Sequence, residues 1–114
     1  MAVERFKDGT VSGRGDSADG RRVGPWTFYF RNGRTKATGS YAAGRLDGEW
    51  AWYRSDGGPL QQGAFVAGQQ DGPWRRWHST GALLDEGTYA LGRRTGEWVT
   101  YDDAGEVVKR RIHR

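Results

Sequence analysis

The sequence predicts an all-β protein, an elongated single-layer antiparallel sheet of stacked β-hairpins, on three observations. Tryptophan recurs at Trp26, Trp50, Trp74 and Trp98, 24 residues apart each time without insertion or deletion. Glycine recurs in four columns in the same register, so that 17 of the 19 glycines are periodic and only Gly13 and Gly58 fall outside. No glycine-free stretch is long enough to carry an amphipathic period of 3.6, and short isolated helices are marginal in water. A fixed period of this length is the signature of a repeat array in which each unit packs on its neighbours.

Four units follow from the register, 20–43, 44–67, 68–91 and 92–114, preceded by a degenerate half unit over 1–19. Within the first unit, Trp26 to Arg31 reads as a strand, Asn32-Gly33 as a hairpin turn and Thr35 to Tyr41 as the returning strand. Asp8-Gly9, Asp56-Gly57, Thr80-Gly81 and Ala104-Gly105 repeat that turn. A second turn, Tyr41-Ala42-Ala43-Gly44-Arg45 in the first unit, leads into the next tryptophan strand, and about nine antiparallel strands result. Pro59 stands where the second unit's return strand begins, and the missing N–H predicts a local interruption of pairing there.

Aromatic columns lie between the glycines: the tryptophans, then Tyr29, Tyr53, Trp77 and Tyr101, then Tyr41, Phe65 and Tyr89 with His113 last. Side-chain alternation puts Trp26, Phe28 and Phe30 on one face and Thr27 and Tyr29 on the other. Equivalent tryptophans are two strands apart, about 9–10 Å, so the Tyr41-type rings are expected to fill between them. The last unit replaces glycine by Arg111 and the aromatic by His113, with Lys109, Arg110 and Arg114 nearby, which reads as a charged cap against edge-to-edge pairing.

The pattern Gly24-Pro25-Trp26-x-x-Tyr29-x-x-x-Gly33, followed by Gly39-x-Tyr41-x-x-Gly44-x-x-x-Gly48-x-Trp50, resembles the MORN-repeat variant (membrane occupation and recognition nexus). The resemblance covers 20–110 well and 1–19 weakly. It implies a twisted sheet of stacked hairpins serving as a scaffold or binding module, with roles in protein association and phospholipid contact. It also carries the antitoxin-like label of bacterial proteins with this variant. Choline-binding repeats likewise combine Gly, Trp and Tyr, but their tandem Trp-Tyr-Tyr signature is missing here.

Residues for catalysis are sparse. Cysteine is absent, which removes thiol nucleophiles, disulfides and thiolate metal sites. His78 and His113 stand 35 residues apart outside any ligand motif and read as surface or capping residues. Asp85-Glu86 and Asp102-Asp103 lie beside turns and read as solvated carboxylates. Arg14-Gly15-Asp16 spells an adhesion tripeptide, but the repeat register already accounts for Gly15. The expectation is a non-enzymatic protein with no cofactor and no metal. Residues 1–19 lack the apolar core of a signal peptide and no apolar run approaches a membrane span, so a cytoplasmic location is expected.

The formal net charge is +4, with 18 Lys and Arg against 14 Asp and Glu. Arg21-Arg22 and Arg93-Arg94 occupy equivalent places, and such a row suits anionic phospholipid headgroups, each basic residue contributing about 1 kcal/mol near a charged surface. Nucleic acid would need a comparable basic stripe and is not the expected partner. Positions that vary between copies are free to serve a partner: after each tryptophan stand Thr27, Ala51, Arg75 and Val99, then Phe28, Trp52, Arg76 and Thr100. Phe28 and Trp52 with Arg75 and Arg76 form the expected partner-binding patch, aromatic grading into basic. Equally, Phe28 and Trp52 thicken the packing of the first two units. The functional expectation is a scaffold or protein–protein interaction module, antitoxin-like or immunity-like, with peripheral membrane contact through Arg21, Arg22, Arg93 and Arg94 as the alternative.

Overall fold

A computed structural model describes all 114 residues. Ten strands follow one another as a pure antiparallel meander: β1 (Ala2–Arg5), β2 (Val11–Ala18), β3 (Arg21–Tyr29), β4 (Thr35–Ala42), β5 (Arg45–Tyr53), β6 (Pro59–Val66), β7 (Gln69–Trp77), β8 (Leu83–Ala90), β9 (Arg93–Tyr101) and β10 (Val107–His113). The sheet is open, contains no helix, and measures 43 × 30 × 17 Å. The count exceeds the expected nine because β1 pairs with β2 and completes the first hairpin. The chain has no helix long and apolar enough to cross a membrane.

Two kinds of connection alternate along the two long edges. On one edge the loops beginning at Phe6, Phe30, Arg54, His78 and Asp102 each close with a pair of backbone bonds, as in Phe30 N–H to Arg34 O at 2.8 Å and Gly33 N–H to Phe30 O at 2.9 Å. The side chain before the glycine accepts from the backbone two residues on: Asp8 from Thr10, Asn32 from Arg34, Asp56 from Gly58. Ala104 has no such acceptor, and the Asp102 carboxylate takes over by accepting from Ala104 and Glu106. On the opposite edge the strands turn through two residues that both have positive φ, for example Ala43 at 50° and Gly44 at 84°, the geometry that matches the strand twist in tight hairpins.

A third device is a bulge near the start of each long strand. Gly15 lies opposite Trp26 but Asp16 lies opposite Val23, leaving Gly24 and Pro25 unmatched, and Gly24 takes φ 67°. The same shift recurs at Gly48 and Gly72. Extra residues leave the ladder locally unpaired, and each tryptophan meets this need. The indole N–H of Trp26, Trp50, Trp74 and Trp98 donates to the carbonyl of Asp16, Ser40, Ala64 and Thr88 at 2.8, 3.0, 3.1 and 3.1 Å.

Those four tryptophans form the core, between 2% and 5% exposed. Each lies flat over a glycine of the preceding strand: Gly15, Gly39, Gly63 and Gly87 sit so close beneath the rings that a Cβ would penetrate them. Gly13, outside the periodic columns, has its own reason, because a Cβ there would press into the Phe28 ring. Arg14-Gly15-Asp16 is therefore part of strand β2 with its glycine buried under Trp26.

Pro59 does not interrupt the sheet. It begins β6 opposite Tyr53, across the same register shift that separates Tyr29 from Phe28 and Trp77 from Arg76. The hairpin is irregular at this point in every unit, whether or not the return strand begins with proline.

A candidate binding face

The tryptophan face carries a continuous row of rings. Phe28 stacks between Trp26 and Trp50 at centroid distances of 5.6 and 6.2 Å, and Trp52 between Trp50 and Trp74 at 5.6 and 5.8 Å. Tyr41 and Tyr89 stand edge-on between successive tryptophans, Tyr41 at 6.3 Å from Trp26 and 5.2 Å from Trp50, and Phe65 stands edge-on to Trp52 and Trp74. The return-strand rings thus fill the gap as expected, and His113 closes the row against Trp98 at 6.5 Å. Edge-on and offset pairs of this kind contribute about 0.5–1.5 kcal/mol each beyond area burial. Phe28 and Trp52 are half-buried, so they both support the stack and remain accessible.

The row changes character at the third unit. Arg76 occupies the place of Phe28 and Trp52, and its guanidinium forms an ion pair with Asp85, whose side chain is 6% exposed. The hydrogen bonds to Asp85 hold the Arg76 pKa above its ordinary value. Asp85 is the one buried charged residue, not the solvated turn carboxylate the sequence suggested; it lies in β8, directly across from Arg76 and from Thr100. Arg75 alternates to the other face, where it meets Glu86 at 3.4 Å, and Glu86 also accepts from the Tyr101 hydroxyl at 2.7 Å. The four residues of the expected patch therefore divide: Phe28, Trp52 and Arg76 share the tryptophan face and Arg75 does not.

The arginines considered for lipid contact divide as well. Arg22 is clamped by Glu4, donating from Nε at 2.9 Å and from a terminal nitrogen at 2.5 Å, while its guanidinium lies 5.0–5.6 Å from the Trp26, Phe28 and Tyr41 ring centres. Its pKa is raised first by the hydrogen bond to Glu4. Arg94 stacks on Trp98 at 4.3 Å. Arg21 and Arg93 are exposed beside the two-residue turns, but β3 and β9 are six strands apart, roughly 29 Å at ~4.8 Å per strand.

His78 Nε2 lies 2.8 Å from the carbonyl of Tyr101, tying one hairpin loop to the next, as Arg54 does by donating to the carbonyl of Trp77 at 2.9 Å.

One depression on the tryptophan face went unnoticed in the sequence. A hollow of ≈ 330 Å³ opens over the first two units, bounded by Phe28, Ala37, Trp52, Lys36 and Phe6. It continues toward the loop edge into a second hollow, bounded by Phe6, Phe30, Arg31 and Lys36. Lys36 falls at the hairpin's register shift, outside the regular pairing, so period-two alternation could not place it. No protein-family model matches the chain, and no curated protein matches it either.

Proposed function

We propose that the protein is a non-enzymatic scaffold of the MORN-repeat kind, an interaction module that binds another protein through the tryptophan face of its first two units, in an antitoxin-like or immunity-like role. The observation that supports this reading most is the accessible aromatic hollow around Phe28 and Trp52 on a sheet face that no second layer covers. Half-buried aromatic rings around a pocket are the usual anchors of protein interfaces. The test is affinity capture from native-host lysate with wild type and a Phe28→Leu/Trp52→Leu variant whose β-sheet spectrum is intact. A stoichiometric protein lost from the variant supports the reading, and equal capture by both removes this face.

Peripheral contact with anionic phospholipid is the second reading, favoured by Arg21, Arg45 and Arg93, which stand exposed at equivalent places along the two-residue turns. Sedimentation with phosphatidylserine vesicles at low salt, weakening as salt is added, supports it; no sedimentation of the wild type at low salt excludes it.

A further inference from the structure

We infer that the hollow over the first two units takes an acidic peptide segment of the partner, one bulky apolar side chain entering between Phe28, Ala37 and Trp52 while flanking carboxylates meet Lys36 and Arg31. This inference rests on the interaction-module reading and adds the chemistry of the ligand.

The charges around the hollow are what select an acid. Glu4 also lines it, but its two carboxylate oxygens are taken by Arg22. Asp8, whose charge acts on Arg31 without forming an ion pair, accepts from the backbone N–H and hydroxyl of Thr10, at 2.9 and 2.6 Å. Lys36 and Arg31 form no ion pair; each instead lies over a phenylalanine, Lys36 Nζ 5.9 Å from the Phe30 ring centre and the Arg31 guanidinium 5.0 Å from that of Phe6. Two cations are thus held against aromatic surface at the mouth of an apolar hollow, and neither is in ion-pair contact with a carboxylate of its own chain. The basic half of the binding surface is Lys36 and Arg31, toward the loop edge, because Arg76 is committed to Asp85 and Arg75 faces away.

The shape favours a peptide over a bilayer. The depression lies on the sheet face between strands, and its ≈ 330 Å³ falls at the lower end of the ~300–1,000 Å³ typical of ligand pockets.

Selection of random twelve-residue peptides displayed on phage tests this without assuming a sequence. The expected result is enrichment of peptides that join an aromatic or leucine residue to two or more Asp or Glu residues. Their synthetic forms should bind wild type at least tenfold more tightly than Arg31→Glu/Lys36→Glu, a variant whose exchanged side chains lie outside the buried core. No enrichment, enrichment of basic peptides, or equal binding to the variant overturns the proposal, as does binding of phosphatidylserine vesicles that the variant loses while peptide binding is absent. A lysate protein captured through Phe28 and Trp52 but indifferent to the Arg31→Glu/Lys36→Glu exchange would leave the interaction module standing and remove only its acidic ligand.

Discussion

Trp50 lies flat on Gly39 and donates its indole N–H to the carbonyl of Ser40, the next residue along the same strand, at 3.0 Å. One side chain thereby covers a glycine and satisfies the acceptor that a bulge leaves open, and Trp26, Trp74 and Trp98 do the same in their own units.

Gly39→Ala should destabilise the fold by about 3 kcal/mol, the upper end of overpacking costs, because the ring above cannot rise without abandoning Ser40. Arg111 occupies the same column in β10, but no tryptophan strand follows it. Arg111→Ala should change stability by less than about 0.5 kcal/mol. Urea denaturation of both variants measures the difference, and similar losses would contradict the packing role assigned to glycine.

The indole donor separates two kinds of tryptophan. Trp74→Phe removes the bond to Ala64 and leaves a bulge carbonyl without its partner, for an expected cost of about 3 kcal/mol. Trp52→Phe restores the residue that the first unit uses at Phe28 and should cost about 1 kcal/mol or less. The two denaturation midpoints give the comparison directly.

Arg76 and Asp85 replace the Phe28 and Ala37 of the first unit. Arg76→Met strands a buried carboxylate and should cost about 2 kcal/mol, below the full penalty for a broken buried pair because the arginine side chain is 46% exposed. The double change Arg76→Phe/Asp85→Ala rebuilds the first unit's packing and should recover wild-type stability or exceed it. A double variant less stable than Arg76→Met would show that the third unit does not tolerate the apolar arrangement.

Burial holds the His113 pKa below its ordinary value of 6.5, with Arg111, Arg94 and Lys109 adding to the effect. Its Nε2 is shielded from solvent without a partner. The unfolded chain then takes up the proton first as pH falls, so this contribution to stability is complete above about pH 6.5 and is lost progressively as pH falls through the lower folded value. Thermal melts across that range should show the loss in wild type and a smaller one in His113→Phe, which keeps the ring against Trp98.

The architecture was legible because glycine and tryptophan each answer one local demand that repeats without variation. The site was less so. Asp85 stands beside a turn in the sequence, and nothing there shows that the hairpin's register shift sets it across from Arg76, nine residues back. Lys36 was hidden by the same shift. Phe28 and Trp52 were visible as departures from the repeat, and they prove to be stacked rings at the edge of a hollow. Arg75 and Arg76, neighbours in sequence, fell on opposite faces as strand alternation requires.

Tyr41 bridges Trp26 to Trp50, Phe65 bridges Trp52 to Trp74 and Tyr89 bridges Trp74 to Trp98, and their places give them unequal weight along the chain. In a linear array whose stability is a sum of neighbour terms, a terminal defect only shortens the ordered stretch. A central one divides it. Substituting Phe65 should therefore uncouple the two halves and turn a single melting transition into two, while the equivalent lesion at His113 leaves one transition of slightly smaller amplitude.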